Sequence, residues 1–413
     1  MLSYHDALQI IRDTASSIIL EAETIPLESA LGRVCAKLLL SPLDIQPFDN
    51  SAMDGFAIKL DDLAGASPER PVRLKIKGVI PAGHPVKDNI VEAGFCWRIM
   101  TGAPLPQGVD AIVPIEDVHQ HSETILFSNA PKLGQHIRRT GEDFKKGTSV
   151  LSVGDRITQA HMIALASLGI SKLPVFKKPG ALFISTGTEL VDDLSQPLQD
   201  GQIYNSNRIY AHALLPACGT ILHGCNTIHD NKDIFLETLN TADEKGIHLI
   251  ISSGAVSAGN YDFVRNGLES FGAKILYHKI KLKPGKPNLF AILPSGCLYF
   301  GLPGNPVATV AGLRFFVLEA LRTMLKEKSE RPIFARVMNE FPKKPGLHMI
   351  LKGRLEYKDD GSVNANVLDG QESFMVSPFL SMNGWLHVPE NKENIKTGDV
   401  IEAYPAHPYG HLV

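Results

Sequence analysis

The sequence predicts a multidomain protein of the α/β plus β class, built around a central three-layer α/β domain with a mostly parallel sheet. The first observation is that apolar strands alternate with helical stretches in the middle of the chain, as in a parallel sheet covered on both faces. The second is an irregular N-terminal region in which helical patterns mix with short strands. The third is a closing segment of short strand-like runs and many turns, which predicts a small β-barrel-like domain. The predicted central strands are 181–186, 247–254 and 297–302, and the helices lie around 206–216, 230–245 and 305–325.

These zones predict three units within 413 residues, a length that suits roughly two to four domains. The N-terminal region covers 1–175 and includes an inserted β-rich subdomain at about 45–145. The α/β domain covers 176–327 and the C-terminal β domain covers 328–413. The segment PVFKKPG at 174–180 is the best candidate for the linker between the first two units.

Local signals place three elements in the N-terminal region. Ser3 with Asp6 three positions later is a capping signature for a first helix. The alternation of apolar and basic residues at 72–79 predicts a half-exposed strand. A second helix is predicted within 157–170, opened by Thr158 and ended by Gly169.

Composition excludes several classes of protein. The formal net charge of -3 argues against a general nucleic-acid binder, and no apolar run approaches the ~18–20 residues that span a bilayer. The N-terminus has no basic segment followed by an apolar one, so no secretory signal is expected. The five cysteines are scattered without a C-x-x-C pair, and the 15 histidines show no ligand spacing. We therefore expect a soluble cytoplasmic protein with reduced thiols and no zinc site.

The stretch PFDNSAMDGFA at 47–57 fits neither a helical nor a strand period. Its carboxyl and amide oxygens indicate either a turn bonded to itself or a loop that holds a ligand. Asp49, Asn50 and Ser51 suit the first role, since such side chains bond to nearby backbone. Asp54 is the residue we expect to be presented to a ligand.

Small-residue loops follow each of the three predicted central strands, at 185–190, 252–262 and 301–306. In open α/β sheets, ligands bind at the carboxyl ends of the strands, where such loops converge. Asn305 as N-cap and Pro306 as first helical residue would direct backbone N–H groups of 303–305 at an anion. The alternative is that the glycines only serve tight turns.

The segment KIKLKPGKP at 279–287 groups four lysines with turn-forming prolines and a glycine. Lysines are common protectors of a strand edge, which is the simpler interpretation. A stiffened cluster of lysines beside anion-binding loops also suits a phosphate or oxyanion site.

Several carboxylates stand in or beside these loops and offer hard oxygen ligands, which suit Mg²⁺ beside a phosphate. Taken singly, each is more simply a helix cap or a surface charge. Thr101 belongs to another irregular loop. The sequence contains no Ser-His-Asp order of a catalytic triad and no H-E-x-x-H metalloprotease motif. The carboxylates are Asp54, Glu142, Asp143, Glu189, Asp230 at a helix start, and Asp262.

Seven motifs occur together in the order and spacing of one family: FDNSAMDGFA, MTGAPLPQGVDAIVPIED, RRTGED, STGTEL, SGAVSAGNYDF, KLKPGKP and GLPGNPVA. On these motifs the chain resembles the molybdopterin molybdenumtransferases, the MoeA and gephyrin E-domain family. The resemblance runs from the first helix to about residue 325 and continues more weakly through 371–389 and 396–404. Two departures are Phe56, where tyrosine is frequent, and Gly254–Ala255, where many relatives have two glycines.

The resemblance implies insertion of molybdate into the dithiolene of adenylated molybdopterin, with release of AMP in the presence of Mg²⁺. It also implies a homodimer in which the sheet domain faces the N-terminal domain of the other protomer, an adenylyltransferase partner, and possible molybdoenzyme or cofactor-delivery partners. Asp54, Glu189 and Asp262 would hold Mg²⁺. The implied catalytic residues are Asp54, Thr101, Asp143, Glu189, Asp230 and Asp262. The implied substrate-binding residues are Ser185, Thr186, Gly187, Ser257, Gly259, Lys279, Lys283, Lys286, Pro303, Gly304, Asn305, Pro306, Arg354 and Ser377.

Three alternatives remain at this point. A molybdopterin adenylyltransferase, or another nucleotide-binding relative, would keep the sheet domain and change the reaction. A non-catalytic scaffold is an alternative of another class, because fold alone does not fix function. A tungstate-preferring or inactive copy is the third, since molybdate and tungstate share charge and nearly size.

Overall fold

A computed structural model describes residues 1–85, 88–228, 231–255 and 263–408. The helical segments 306–312 and 318–324 form one continuous helix, because a π-helical segment, Leu313–Val317, joins them. No helix in these ranges is long and apolar enough to cross a membrane. The helices are α1 Tyr4–Ser16, α2 Gln159–Ser167, α3 Ser206–Ala217, α4 Lys232–Glu244, α5 Phe263–Phe271, α6 Pro306–Gly312 and α7 Leu318–Met324.

The strands are grouped here by their position along the chain. Those before the central domain are β1 Ala22–Pro26, β2 Leu39–Leu40, β3 Asn50–Ser51, β4 Gly55–Ile58, β5 Val72–Ile80, β6 Phe95–Ile99, β7 Ala111–Pro114, β8 Val118–His121, β9 Thr124–Phe127, β10 Ile137–Arg138, β11 Ser149–Leu151 and β12 Lys172–Phe176. Those of the centre are β13 Gly180–Thr186, β14 Leu190–Val191, β15 Ile203–Tyr204, β16 Ile221–Ile228, β17 Leu249–Ser253, β18 Lys274–His278, β19 Leu282–Lys283, β20 Leu289–Ile292 and β21 Leu298–Leu302. The last are β22 Ile333–Val337, β23 His348–Tyr357, β24 Val363–Val367, β25 Gly384–Val388 and β26 Val400–Pro405.

The N-terminal region holds a curled six-stranded sheet in the order β7-β4-β6-β5-β9-β8. Its apolar core includes Phe56 and Phe127, both fully buried. The short pairs β1–β12, β2–β11 and β3–β10 connect this sheet to the rest of the region. The strand predicted at 72–79 is confirmed as β5.

Both predicted helix starts of the region are confirmed. The Ser3 hydroxyl accepts a bond from the Asp6 amide, and the Asp6 carboxylate accepts one from the Ser3 amide. Thr158 caps α2, and Gly169 follows it with φ +69°. The apolar face of α1 packs into the core of the α/β domain, where Ile11 is fully buried.

The central sheet has the order β16-β13-β17-β21-β20-β18. The first four strands are parallel, and β20 and β18 follow in antiparallel pairings. Successive residues of β13 point to opposite faces, since Phe183 joins the core formed with α3, α6 and α7, and Ile184 joins the core formed with α4 and α5. This confirms a mostly parallel sheet covered on both faces.

The last five strands form a closed barrel, because β23-β24-β22-β26-β25 ends with β25 pairing back to β23. The short strand β19, which leaves the central domain, pairs in parallel with β23 at the edge of the barrel. The predicted fold class is therefore confirmed, including its barrel-like C-terminus. All five cysteines lie in the described ranges and are free thiols.

Candidate active site

Three loops meet at one edge of the central sheet, because β13, β17 and β21 are neighbouring parallel strands. Their carboxyl ends open into a cavity of about 730 Å³. A pocket at this place is the usual ligand site of an open α/β sheet. The cavity is lined by Thr186, Gly187, Glu189, Leu190, Ile203, Tyr204, Asn205, Ser206, Asn207, Ser253, Gly254, Ala255, Pro287, Pro303, Gly304, Asn305, Pro306, Phe374 and Val376.

Close backbone approach explains the glycine after the second strand. Gly254 has φ +100°, and a Cβ at that position would lie 2.6 Å from the carbonyl oxygen of Thr186. Ala255 then adopts φ +47°, a left-handed conformation that L side chains rarely take. The departure noted in the sequence thus falls on a residue whose conformation a glycine would adopt with less strain.

The carboxylate of Glu189 lies against the backbone of the first loop. A Cβ at Gly187, which has φ +146°, would be 2.5 and 2.7 Å from its two oxygens. The backbone carbonyl of Glu189 accepts a hydrogen bond from the Ile203 amide at 2.9 Å. Glu189 is the one Asp, Glu, Lys or Arg among the described residues that line the cavity.

Ser185 and Thr186 are buried and bond within the protein. The Ser185 hydroxyl donates to Asn205 Oδ1 at 3.1 Å, and Asn205 caps α3. The Thr186 hydroxyl donates to the Ser253 carbonyl at 3.2 Å, which joins the first two loops. These two residues therefore fix the loops and the start of α3 relative to one another.

The start of α6 is as predicted in position, with Asn305 as N-cap and Pro306 as first helical residue. The Asn305 side chain makes no capping hydrogen bond to the helix. Instead, its Nδ2 donates to the hydroxyl of Ser373 at 2.8 Å. The Val307 amide donates to the Ser373 carbonyl at 3.1 Å, so one helix-start donor is already used by the C-terminal domain. Because prolines have no N–H, the amides of this turn are those of Gly304 and Asn305.

Buried polar atoms without a hydrogen-bond partner among the described residues gather near the same edge of the sheet. They are the Asn207 Oδ1 atom, the Ser252 hydroxyl and both polar ends of the Asn288 side chain. Such groups are costly when unsatisfied and are uncommon in folded proteins. Asn207 is 8% exposed and lines the cavity, which makes its oxygen an acceptor that a ligand can satisfy.

The predicted residues of the N-terminal region do not line this cavity. Asp54 accepts hydrogen bonds from the backbone amide and hydroxyl of Thr101, and the amide bond is the main reason that the pKa of Asp54 lies below 3.8. The Asp143 amide donates to the Ile45 carbonyl, and its side chain is exposed. Ser51 and Asn50 bond to nearby backbone, as expected, whereas Asp49 bonds to Arg139 and Thr140 of another loop.

The lysine segment connects the cavity to the barrel. Pro287 lines the cavity and Lys286 directly precedes it. Lys283 lies in β19, at the edge of the barrel sheet, and its side chain is exposed. Lys279 has φ +72° and donates its amide to the Asn288 carbonyl.

The C-terminal domain contributes a cavity wall that the sequence did not predict. Phe374 and Val376 line the cavity and are 66% and 48% exposed. Arg354 is exposed and donates to the Ser381 carbonyl at 3.4 Å, and Ser377 begins a 3-10 turn just after Val376; neither lines the cavity. The available signal was a run of three apolar residues, FMV at 374–376, inside a polar loop.

Four predicted site residues, Asp230, Ser257, Gly259 and Asp262, lie outside the described residues. Within the described ranges, no three His, Cys, Asp or Glu side chains are grouped so that they could hold a metal ion. Among the described residues that line the cavity, Glu189 contributes a single carboxylate. That arrangement fits the way Mg²⁺ is usually held, through one or two carboxylates and the phosphates of a substrate.

Fold and cavity define an α/β ligand-binding protein whose site lies where the strands of its central sheet end. Three family models match the chain: the MoeA N-terminal region (domain I and II) at 2–169, a probable molybdopterin binding domain at 182–323, and the MoeA C-terminal region (domain IV) at 335–406. The molybdopterin molybdenumtransferase of Synechococcus elongatus is 34% identical, over 97% of this chain and 99% of the relative. That of Haemophilus influenzae is 33% identical over 95% of each chain.

A solved structure supports the same family assignment. The crystal structure of the molybdopterin biosynthesis MoeA protein from Pyrococcus horikoshii OT3 has a TM-score of 0.83 and 28% identity, covering 98% of this chain and 99% of that one. The chain belongs to the molybdopterin molybdenumtransferase family and is a transferase of molybdenum cofactor biosynthesis. The adenylyltransferase and scaffold alternatives are not favoured, because the matched relatives align over the whole chain.

Proposed function

We propose that this transferase inserts molybdate into the dithiolene of adenylated molybdopterin and releases AMP. The observation that carries the proposal is the convergence of three loops and Glu189 on one cavity at the edge of the sheet. Molybdate and a phosphoanhydride are both anionic, so bringing them together requires donors and positive charge that are already in place. A pocket of about 730 Å³ is within the usual range for a small-molecule site.

The loops supply the donors. Amides of the Gly187, Gly254 and Gly304 turns would hold the phosphates, since backbone N–H groups in such turns bind anions. Lys283 and Lys286 would meet the molybdate oxyanion. Arg354 and Ser377, both exposed residues of the C-terminal domain, are the further candidates for that role.

Mg²⁺ would be held by Glu189 and the substrate phosphates, with Asp54 and Asp262 as the other candidate ligands. When bound there, it would offset charge on the phosphoanhydride and make AMP a better leaving group. The side chains of this protein then have to hold the pterin sulfurs and the oxyanion at bonding distance. Positioning of that kind contributes more to the rate of this reaction than proton transfer does.

The functional unit is a homodimer in this proposal. Asp54, Thr101 and Asp143 are exposed and do not line the cavity of their own chain. A second protomer would bring these residues to the cavity across an interface. The exposed Asp54–Thr101 pair would then complete the site from the partner side.

The further partners follow from the substrate. An adenylyltransferase would supply the adenylated pterin, and a molybdoenzyme or a delivery protein would accept the finished cofactor. The free thiols favour a reducing compartment such as the cytoplasm.

One assay tests the reaction directly. Purified protein is given adenylated molybdopterin and Mg²⁺, and free AMP is measured before and after molybdate is added. The proposal expects AMP release that depends on molybdate. In a parallel reaction with ATP and unadenylated molybdopterin, AMP transfer to the pterin, together with no molybdate-dependent AMP release in the first reaction, would instead identify an adenylyltransferase.

A further inference from the structure

A second cavity of about 370 Å³ adjoins the first, between α3, α6 and the barrel. Ser206, Asn207, Pro306 and Val376 line both cavities, so the two lie side by side at these residues. Of the predicted site residues that the structure describes, Pro306 alone lines the second cavity. Its volume is within the range of small-molecule sites.

The walls of the second cavity are aromatic and aliphatic. Tyr210 and Val310 come from the α/β domain, and Phe379, Met382 and Trp385 come from the C-terminal domain. The rings of Phe379 and Trp385 are 5.9 Å apart at an interplanar angle of 70°. An apolar, aromatic slot of this kind suits a flat ring.

Its electrostatics differ from those of the first cavity. No Asp, Glu, Lys or Arg side chain is among the described residues that line it. Tyr210 and His407 are the titratable side chains among these lining residues, so an anionic phosphate or molybdate would meet no Lys or Arg there, whereas a neutral ring loses little solvation free energy on entering. Burial raises the pKa of Tyr210 to about 12, so its hydroxyl stays protonated at neutral pH.

A polar anchor stands at the junction of the two cavities. Asn207 Nδ2 donates to the Gly304 carbonyl at 2.8 Å, which fixes the amide group against the third loop. Its Oδ1 atom has no partner among the described residues. A ligand with an N–H edge at the junction would satisfy this acceptor, and a hydrogen bond of that kind gives specificity as well as affinity.

From this geometry we infer that the second cavity binds one of the two flat nitrogen heterocycles of the substrate, with its N–H edge on Asn207 Oδ1. The inference rests on the proposed function, in which the substrate carries a ring at each end of a pyrophosphate link. The first cavity then holds the phosphates, and the second holds the adenine or the pterin. Both rings are flat and carry N–H donors, so the chemistry of the site is the same for either source.

The test is equilibrium binding of AMP, and separately of unsubstituted pterin, to the purified full-length protein by calorimetry. The variants are Asn207→Leu, which removes the acceptor, and Tyr210→Ala, which removes one wall. Ile209→Ala is the matched control, because Ile209 is the neighbouring residue on α3, is 47% exposed and lines neither cavity. Tyr210→Leu keeps much of the apolar volume but removes the flat ring, and it supplies a milder variant with the same expected direction of change if the other two fail to fold.

We expect the affinity for one probe to fall about tenfold or more in Asn207→Leu and Tyr210→Ala, and to be unchanged in the control. A fall for AMP alone assigns the cavity to adenine, and a fall for pterin alone assigns it to the pterin. Wild-type protein that binds neither probe, or variants that bind both normally, would overturn the inference. Molybdate-dependent AMP release is measured on the wild type in parallel, so a failure of the proposed function is seen independently of the ring site.

Discussion

Thr101 donates two hydrogen bonds to a single carboxylate oxygen of Asp54, from its backbone amide at 2.6 Å and from its hydroxyl at 2.8 Å. Two loops that lie 47 positions apart in the sequence are joined by this contact. The bonds favour the ionised carboxylate and hold the pKa of Asp54 below 3.8. An ionised, fixed carboxylate on an exposed surface is suited to act on a ligand held by another protomer.

Complementation tests whether that surface serves the partner's cavity. If the proposed homodimer forms, Asp54→Ala and Glu189→Ala are each expected to abolish molybdate insertion, since each removes one part of both sites when both protomers carry it. When the two variants are mixed and allowed to exchange, mixed dimers contain one intact site. Random exchange should restore about a quarter of wild-type activity.

Activity of the mixed sample, with size-exclusion chromatography to confirm a dimer, checks this result. Asp61→Ala, an exposed carboxylate change in the same region, is the control and should retain full activity alone. No recovery on mixing, or a strictly monomeric wild type, would contradict a site shared between protomers.

Gly187→Ala should reduce molybdate insertion nearly as much as Glu189→Ala. The added methyl group would meet the Glu189 carboxylate at 2.5 to 2.8 Å and would have to displace it. Gly187 is buried but Glu189 is exposed, so the carboxylate can move toward solvent and we expect the free energy of unfolding to change by no more than about 2 kcal/mol. The measurement is AMP release together with urea unfolding. The matched control is Gly201→Ala, which also changes a glycine with positive φ and meets no atom within 4 Å. Full activity in Gly187→Ala would show that the position of Glu189 is unimportant.

Lys352→Met should loosen the loop that carries Phe374 and Val376. The fully buried amino group donates to the carbonyl oxygens of Gly370 at 2.5 Å and Met375 at 2.9 Å, with Glu372 further away at 3.4 Å. Losing this donor leaves buried carbonyls unsatisfied, which costs about 1–3 kcal/mol of unfolding free energy.

Urea unfolding measures that loss, and limited proteolysis within 370–376 measures the loosening. The control is Lys358→Met in the same domain, since Lys358 pairs with Glu356 only at the surface and such pairs contribute about 1 kcal/mol or less. A Lys352→Met protein as stable and as protease-resistant as the wild type would contradict this role.

A buried histidine pair predicts loss of stability on the acid side. His348 Nε2 and His387 Nδ1 are 3.1 Å apart, and Tyr4 of α1 stacks on the His348 ring at 4.3 Å. Burial lowers the pKa of His348 to about 3 and that of His387 well below 6.5. Below pH 6.5 the unfolded chain binds protons that the folded pair does not. The free energy of unfolding therefore decreases as the pH is lowered below 6.5, by up to about 1.4 kcal/mol per pH unit for each histidine.

Chemical unfolding between pH 7 and pH 4 checks this slope. His387→Phe keeps a ring in the core and should give a flatter curve than the wild type, by up to about 1.4 kcal/mol per pH unit. His119→Phe on an exposed strand is the control and should follow the wild type. Equal slopes for His387→Phe and the wild type would contradict the assignment.

Local signals in the sequence were enough to predict much of this structure. The Ser3–Asp6 box and the Thr158 cap were predictable because their bonds form within four residues. The three loops were predictable because the end of a parallel strand fixes where a loop emerges. The positive φ of Ala255 was not predictable, since the sequence does not show which type of turn follows the second strand.

Contacts between distant segments were not predictable. Ser373 bonds to the start of α6 across 66 or more positions, and the pairing of Lys283 with Met349 joins the lysine segment to the barrel. Such contacts depend on how two domains pack, which has no periodic signal in the sequence. Asn207 was missed for the same reason, because its unpaired oxygen is apparent only once α3 lies against the third loop.

The central claim is that the cavity with Glu189 performs molybdate insertion. The most direct measurement is the activity of a molybdoenzyme reconstituted from its cofactor-free form with adenylated molybdopterin, molybdate and Mg²⁺. Wild-type protein and the surface control Asp200→Ala should restore activity at low molybdate, Glu189→Ala should not, and Lys283→Ala should need more molybdate. Reconstitution by folded Glu189→Ala at the wild-type rate, or equal reconstitution without any of this protein, would contradict the claim.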